Sequence, residues 1–253
     1  MAEKFIPSLH TLPAELIYRI LDNLSDYSIL YSMRNVCAHI NTIIDNYNRY
    51  QTLTILSLRY DKTTPDKIQH FADALQQNQK ITTLFFHNNQ IGSQGAEYLA
   101  NALRQNQTLT VLNLHANRIG SQGVEYLANA LKENNTLTTL DLWDNQIGDQ
   151  GVKHLVNGLQ QNKTLTTLEI GNNAICDKGP THLLHLLLKN TTLLRLHLSH
   201  NQITGIGVQY LAVALQHNKT LVTLDLRFNP IDDIGRKELA KTHQDNPQIE
   251  LIL

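Results

Sequence analysis

Residues able to bind metals, exchange protons or contact a partner recur in this sequence every 28 positions, as in 141 − 113 = 28. One series contains Ser57, Phe85, Asn113, Asp141, Glu169, His197 and Asp225. A second series, two positions later, contains Arg59, His87, His115, Trp143, Gly171, Ser199 and Arg227. A third contains Tyr60, Asn88, Ala116, Asp144, Asn172, His200 and Phe228. Unlike the residues around them, these residues change from copy to copy, which is typical of a binding surface on a fixed frame.

A metal site is the first chemistry to test against these series. If the copies form neighbouring strands about 4.8 Å apart, His87 and His115 lie side by side with Asp141 close by. The pair lacks an evident third ligand aimed at the same point, so we predict no metal site. The sequence also has no nucleophile elbow, phosphate-binding loop or zinc-protease motif. We therefore predict neither an enzyme nor a cofactor.

Protein recognition fits the same residues better. Trp143, the only tryptophan of the chain, falls near the middle of the three series, and Trp, Tyr and Arg dominate the binding energy of interfaces. The alternative is that Trp143 only packs over residues of neighbouring strands. Acidic and basic residues are mixed here, which suits a protein or peptide partner. The predicted partner-binding residues are Phe85, His87, Asn113, His115, Asp141, Trp143, Asp144, Glu169, Arg195, His197, His200, Asp225, Arg227 and Phe228.

The elements that position these residues come from a 28-residue repeat. Around Asn145, alternating leucines predict a short strand, and Val152, Leu155, Val156 and Leu159 predict one apolar helix face. We expect Asn145 to pair backbone groups of the turn between strand and helix. We expect Asp149, and Ser93, Ser121, Asp177 and Asp233 elsewhere, to cap the helix. Asn162 should end it in a left-handed conformation.

These repeats resemble the ribonuclease-inhibitor class of leucine-rich repeats, LxxLxLxxNxIxxxGxxxLxxxLxxN, over roughly residues 53–253. The resemblance implies an α/β horseshoe solenoid, with parallel strands inside and helices outside. It divides the chain into residues 1–50 and a solenoid of about seven repeats plus a terminal strand over 51–253. Because one repeat cannot bury its apolar face alone, stacking of neighbours is obligatory.

The first 50 residues lack the repeat and have apolar residues at helical spacing. Residues 12–45, LPAELIYRILDNLSDYSILYSMRNVCAHINTIID, resemble an F-box, although Ile40 stands where that family commonly has an aromatic residue. F-boxes dock onto the Skp-family adaptor of an SCF-type cullin–RING ubiquitin ligase. The resemblance implies that the adaptor contact is made by Leu12, Pro13, Leu16, Ile20, Leu21, Leu24, Leu30, Val36 and Cys37. The alternative is a helical cap that only covers the N-terminal edge of the solenoid.

Bulk composition narrows the partners and the compartment. The chain has 21 basic and 22 acidic residues, so we expect no nucleic-acid or membrane-surface binding. No apolar run is long enough to predict a membrane span or a signal peptide. Two cysteines indicate no disulfide framework and favour a reducing compartment, so we predict a cytoplasmic, or alternatively nuclear, protein.

The sequence thus favours a non-catalytic substrate receptor of a ubiquitin ligase. In this hypothesis the N-terminal segment binds the Skp-family adaptor and the concave repeat face binds the target protein. The alternative is a stand-alone leucine-rich-repeat scaffold or inhibitor whose N-terminal helices only cap the array. A regulator similar to the leucine-rich GTPase-activating proteins is a more distant option, since a fold alone does not choose a function.

Overall fold

The computed structural model describes Ala14, Ile17 and residues 54–58 and 65–253, with only the backbone at residues 65 and 66. The predicted adaptor residues Leu12, Pro13, Leu16, Ile20, Leu21, Leu24, Leu30, Val36 and Cys37 lie outside the described residues, as do Arg59 and Tyr60.

Strands and helices alternate throughout the described array. The strands are β1 (Ile55–Ser57), β2 (Thr83–Phe85), β3 (Val111–Asn113), β4 (Thr139–Asp141), β5 (Thr167–Glu169), β6 (Arg195–His197), β7 (Thr223–Asp225) and β8 (Glu250–Ile252). The helices are α1 (Pro65–Gln77), α2 (Gly92–Gln105), α3 (Gly120–Leu131), α4 (Gly148–Leu159), α5 (Lys178–Leu187), α6 (Gly205–His217) and α7 (Asp233–Asp245). None of the helices in these ranges is long and apolar enough to cross a membrane.

All eight described strands form one parallel sheet in sequential order, and the pairing register confirms the predicted period. Leu112 pairs with Leu140 and Leu140 with Leu168, each step being 28 residues (140 − 112 = 28). The central leucine of each strand points into the core, and Leu140 is 1% exposed. Its neighbours on the strand point to the opposite face because side chains alternate. Each helix is about 10 Å wide, whereas neighbouring strands are only about 4.8 Å apart. The array therefore curves, with the sheet on its inner, concave side and the helices outside.

Buried asparagines link consecutive repeats at the end of each strand, as predicted for Asn145. Its side-chain amide donates to the carbonyl oxygens of Leu114 (2.9 Å), in the preceding repeat, and Trp143 (3.0 Å). Its Oδ1 accepts from the backbone N–H groups of Asn117 (3.0 Å) and Ile119 (3.3 Å). This side chain is 0% exposed. The side-chain amides of the corresponding residues, of which Asn229 is half-buried, likewise donate to a carbonyl oxygen of the preceding repeat. We call the set the turn ladder: Asn89, Asn117, Asn145, Asn173, Asn201 and Asn229.

A second row of asparagines, where the helices end, corrects one prediction. The expected left-handed conformation is absent: Asn106 has φ −72° and Asn218 has φ −77°, and Asn162 is not among the positive-φ residues. Asn162 instead donates to the carbonyl oxygens of Leu131 (2.8 Å) and Asn134 (3.1 Å), both in the preceding repeat. These asparagines end the helix by bonding to the neighbouring repeat, so they need no left-handed backbone.

The helix caps also differ from the prediction, and Asp149 acts across repeats instead of capping its own helix. Asp149 lies inside the first turn of α4, whose N-terminus has no side-chain cap. Its Oδ1 accepts from the N–H groups of Cys176 and Gly179 in the next repeat, both at 2.8 Å. In the last helix the cap is Asp232, one residue before the predicted Asp233. A carboxylate near a helix N-terminus is stabilised by the exposed N–H groups, whichever repeat supplies it.

The first described helical residues belong to the array's own core. Ile17 is helical, 0% exposed and part of the same hydrophobic core as Leu56 and Leu84, and Ala14 packs against that core. Ile17 therefore adds an apolar side chain to this core from outside the repeats.

We predict that Asn145→Ala lowers the free energy of unfolding by about 2–4 kcal/mol. The substitution leaves several buried backbone groups without partners, at about 1–3 kcal/mol for each such group. Urea denaturation followed by circular dichroism measures the loss. Asn157→Ala, at an exposed position of α4, is the matched control and should change stability by less than about 0.5 kcal/mol. Equal losses in the two variants would contradict the role of the turn ladder.

Candidate functional site

The three residue series lie as three parallel rows on the concave face and the turn that follows it. The first row occupies the last position of each strand, as in Asp141 and Glu169, which pair in register. The second row follows two residues later and contains Trp143. The third row has left-handed backbone at its described positions: Asn88, Ala116, Asp144, Asn172, His200 and Phe228 have φ between 51° and 57°. The structure therefore places the variable residues on one surface, as the repeat predicted.

Five ring side chains form a continuous contact chain across this surface, which we call the aromatic stripe. Its members in order are His87, His115, Trp143, His200 and Phe228. The ring centroids of His115 and Trp143 are 6.2 Å apart, and those of Trp143 and His200 are 5.4 Å apart at an interplanar angle of 69°. His200 and Phe228 are stacked at 4.2 Å. The stripe thus changes row at Trp143, from the second row to the third.

Gly171 makes this change of row possible. A Cβ atom at Gly171 would lie 2.2 Å from Cζ3 of Trp143, so the indole ring covers this residue. A side chain there would force the ring away. The prediction included Trp143 and His200 separately but did not link them. The sequence signal for the link is a glycine in the second row, where the neighbouring copies have Trp143 and Ser199.

Two carboxylates lie next to the aromatic stripe in an unfavourable arrangement. Asp141 accepts from the side-chain amide of Asn113 and from the backbone N–H of Trp143 (2.9 Å). Burial raises the pKa of Asp141 above its usual value of 3.8, against the opposing effect of the Trp143 N–H and nearby histidines. Burial, and secondly the charge of Asp141, raises the pKa of Glu169 above 4.5. Like charges directly opposite on neighbouring strands destabilise a sheet.

Asp225 has the opposite balance. It is 1% exposed, and burial alone would raise its pKa. The hydrogen bonds and charge of Arg227 outweigh burial, so the pKa of Asp225 is lowered. The Nη2 atom of Arg227 lies 2.7 Å from Oδ2 of Asp225, and Nδ1 of His197 lies 3.7 Å from the same oxygen. Asp225 therefore orients two predicted site residues, while its own carboxylate is shielded from a partner.

The remaining predicted residues lie around this centre. Phe85 and Asn113 are half-buried in the first row, and Arg195 is exposed at the start of β6. Asp144 is exposed and, with Arg118 and Gln146, lines a polar cleft of about 390 Å³ beside the stripe. No group of three or more potential metal ligands occurs among the described residues. His87 and His115 are neighbours as predicted, with ring centroids 6.2 Å apart.

Phe228 is 71% exposed, and its φ is 57°. This left-handed conformation is unfavourable for a bulky residue, whereas Asn tolerates it. Asn88 and Asn172 occupy the same position in other repeats. Phe228 therefore combines an exposed apolar ring with a strained backbone, and neither feature stabilises the fold.

We predict that Glu169→Gln raises the free energy of unfolding at neutral pH by about 0.2–1 kcal/mol, because it removes a like-charge pair. In the wild type, raised carboxyl pKa values mean that the folded state binds protons more tightly than the unfolded state. The stability that this tighter proton binding adds is fully present at a pH below the ordinary pKa values of 3.8 and 4.5. It is lost as the pH rises through the raised pKa values of the folded state. Denaturation at several pH values should therefore show a smaller advantage of the variant in acid. An advantage that grows in acid would contradict this electrostatic explanation.

Comparison with known proteins supports the fold. The family described as the TMOD/LMOD Leucine-rich domain matches residues 34–153, and the Leucine Rich repeat family matches residues 161–179, 189–212 and 217–240. No F-box family matches the chain. No curated protein sequence matches it either.

Two solved structures share the architecture. The structure of Leiomodin-1 Actin-Binding Site 2 is 22% identical, with a TM-score of 0.51 over 58% of this chain and 87% of that chain. The tropomodulin C-terminal domain of Caenorhabditis elegans is 16% identical, with a TM-score of 0.52 over 60% of this chain and 93% of that chain. The described array is therefore a leucine-rich-repeat α/β solenoid, as the sequence predicted.

Proposed function

We propose that this chain is a non-catalytic protein-binding solenoid that holds its partner on the aromatic stripe. The observation that carries the proposal is Phe228, a 71% exposed ring at a left-handed position. Backbone strain and exposed apolar surface persist where they serve a function rather than stability. The similar solved structures are also leucine-rich-repeat domains, one of them named as an actin-binding site.

The arrangement of the stripe supports this function. Trp143 lies near its centre, half-buried over Gly171, with His200 against its edge. A ring that neighbours already hold in one orientation loses little conformational entropy when a partner contacts it. Central, partly enclosed aromatic residues are the usual energetic anchors of interfaces. The stripe therefore has the composition and the rigidity of a protein-binding surface.

Actin is the first named partner to test. The family match over residues 34–153 and the similarity to an actin-binding site of leiomodin-1 favour it. At 22% identity that likeness concerns the fold alone, so actin enters as a candidate. Co-sedimentation with actin filaments and gel filtration with monomeric actin test it, and absence of binding in both assays would remove it.

We propose that the N-terminal segment caps the array. The boundary between residues 1–50 and 51–253 stays a prediction. Ile17 is buried in the core of the array. Ile20, Leu21 and Leu24, which belong to the predicted adaptor contact, follow Ile17 at helical spacing in the sequence. The match to the TMOD/LMOD domain also begins at residue 34, inside the F-box-like pattern. Docking to a Skp-family adaptor therefore rests on the 12–45 pattern alone.

Two charge substitutions distinguish the cap from the adaptor contact. Ile17→Asp should lower the unfolding midpoint in urea strongly, because it buries an unpaired carboxylate. If the adaptor contact exists, the Leu16→Asp, Ile20→Asp variant abolishes binding to a purified Skp-family adaptor that the wild type binds. Absence of adaptor binding by the wild type would rule out the ligase hypothesis. An unchanged midpoint in Ile17→Asp would contradict the cap.

The stripe is tested by a substitution that should improve the fold. We predict that Phe228→Asn raises the free energy of unfolding by up to about 1 kcal/mol, because Asn suits a left-handed position. The same change should weaken partner binding, since it removes an exposed ring from the interface. Urea denaturation measures stability, and quantitative affinity purification from cell extract compares the bound proteins.

The control for this experiment is Tyr210→Ala, which removes an exposed ring from α6 on the outer side of the array. It should retain the partners that Phe228→Asn and Trp143→Ala lose. If all three variants bind the same proteins as the wild type, the aromatic stripe is not the binding surface.

A further inference from the structure

We infer that the segment held on the aromatic stripe is an extended peptide carrying Arg or Lys, whose cationic group binds between Asp141 and Glu169 beside Trp143. This inference rests on the proposed function and specifies the chemistry of the partner. It follows from the hydrogen bonds, the charges and the dimensions of the concave face.

The carboxylate of Glu169 forms no ion pair with the described part of the chain, although the nearby His197 and His115 oppose the rise in its pKa. It is half-buried, and its side chain makes no hydrogen bond to any described residue. Its partner in register on β4 is Asp141, another carboxylate, and on β6 it is His197. A half-buried carboxylate opposite a like charge is unfavourable in the free protein. A cation placed between the two would remove this penalty.

The basic residues of this surface do not supply that cation. Arg227 is bound to Asp225. Arg195 lies at the start of β6 and forms no ion pair with Glu169 among the described residues. Arg118 lines the cleft with Asp144, but none of the ion pairs among the described residues joins it to Asp141 or Glu169. The two carboxylates that pair in register beside Trp143 are therefore not neutralised by an Arg or Lys of the described chain. Charge complementarity favours a cationic occupant and disfavours a nucleic acid or an acidic peptide.

Trp143 adds a second attraction for the same group. Its backbone N–H is bound to Asp141, so the indole ring and the carboxylate are held on one short segment. A guanidinium or ammonium group near the face of an indole ring gains about 0.5–1 kcal/mol at an exposed site and more when desolvated. Carboxylates and an aromatic ring together select Arg or Lys over a neutral side chain.

The dimensions of the stripe favour an extended segment. From the turn after β2 to the turn after β7 the stripe crosses five interstrand steps, or roughly 24 Å at about 4.8 Å each. An extended peptide covers that distance with about seven residues at roughly 3.3 Å per residue. A helix would need about sixteen residues at roughly 1.5 Å each. The ring contacts are spread over the whole distance rather than gathered in one pocket, which suits the extended form.

The test is a display selection of random dodecapeptides against the full-length wild-type protein. Selected peptides are synthesised and titrated by isothermal titration calorimetry. In the variants that keep Trp143 its fluorescence is recorded as well, since no other tryptophan is present. We expect the selected peptides to be enriched in Arg and Lys. The Asp141→Asn, Glu169→Gln variant should bind them about tenfold or more weakly, as expected for loss of close charge pairs.

The matched control is Glu97→Gln, Glu125→Gln, which removes two negative charges from helices α2 and α3. It should retain the affinity of the wild type within about twofold, since distant surface charges are screened. If the control loses affinity as much as the concave variant, binding follows net charge and the inference is wrong.

The remaining outcomes separate this inference from the proposed function. Peptides that depend on Trp143 and Phe228 but show no enrichment in Arg or Lys would overturn the inference and leave the proposed function standing. Peptides that are indifferent to Trp143→Ala, Phe228→Asn and the carboxylate variant would overturn both.

Discussion

Pairing of buried backbone groups at the ends of strands and helices is the constraint on which this structure depends. Each repeat leaves its strand through a tight turn whose N–H and C=O groups are inaccessible to water. An unpaired buried group costs about 1–3 kcal/mol, so a turn without side-chain partners would not be stable. The turn ladder supplies those partners from the neighbouring repeat, as Asn145 does for Leu114 and Asn117. The same bonds fix the register of the sheet.

Residues on the concave face can differ from repeat to repeat because other residues provide the stability. Leucines and asparagines hold consecutive repeats together, so residues such as Trp143 and Glu169 need not contribute to stability. Phe228 strains its backbone and Glu169 opposes another carboxylate. Both departures lie on one surface, next to the same ring chain. Places where local rules fail are expected to be functional or strained sites, and here two of them lie side by side.

Sequence alone predicted the frame well because the frame is local and repeated. The spacing of Leu140, Asn145 and Ile147 determines the strand, the turn and the core, and each was predicted correctly. Asp149 and Asn162 were predicted to cap their own helices, yet they bond to the neighbouring repeat. Each of these side chains can reach backbone groups of its own repeat and of the neighbouring repeat. Only the geometry of stacking determines which of the two sets it bonds to. The contact between Trp143 and His200 was missed because it depends on space above Gly171.

The N-terminal segment shows the limit of pattern reasoning. Apolar residues at helical spacing are required both by a docking helix and by a cap, so the LPAEL pattern favoured an F-box that no family match supports. The buried Ile17 adds what the pattern lacked, namely the surface that one of these residues covers. Residue type alone does not distinguish the two functions.

Native-state hydrogen exchange measured by NMR tests the central role of the turn ladder most directly. The amides of Asn117 and Asn145 donate to the side chain of the next ladder residue. They should exchange only through global unfolding, in the slowest class and with the free energy measured by denaturation. Exchange of these amides at the rate of exposed turn amides would show that the ladder opens locally, and would contradict its central role.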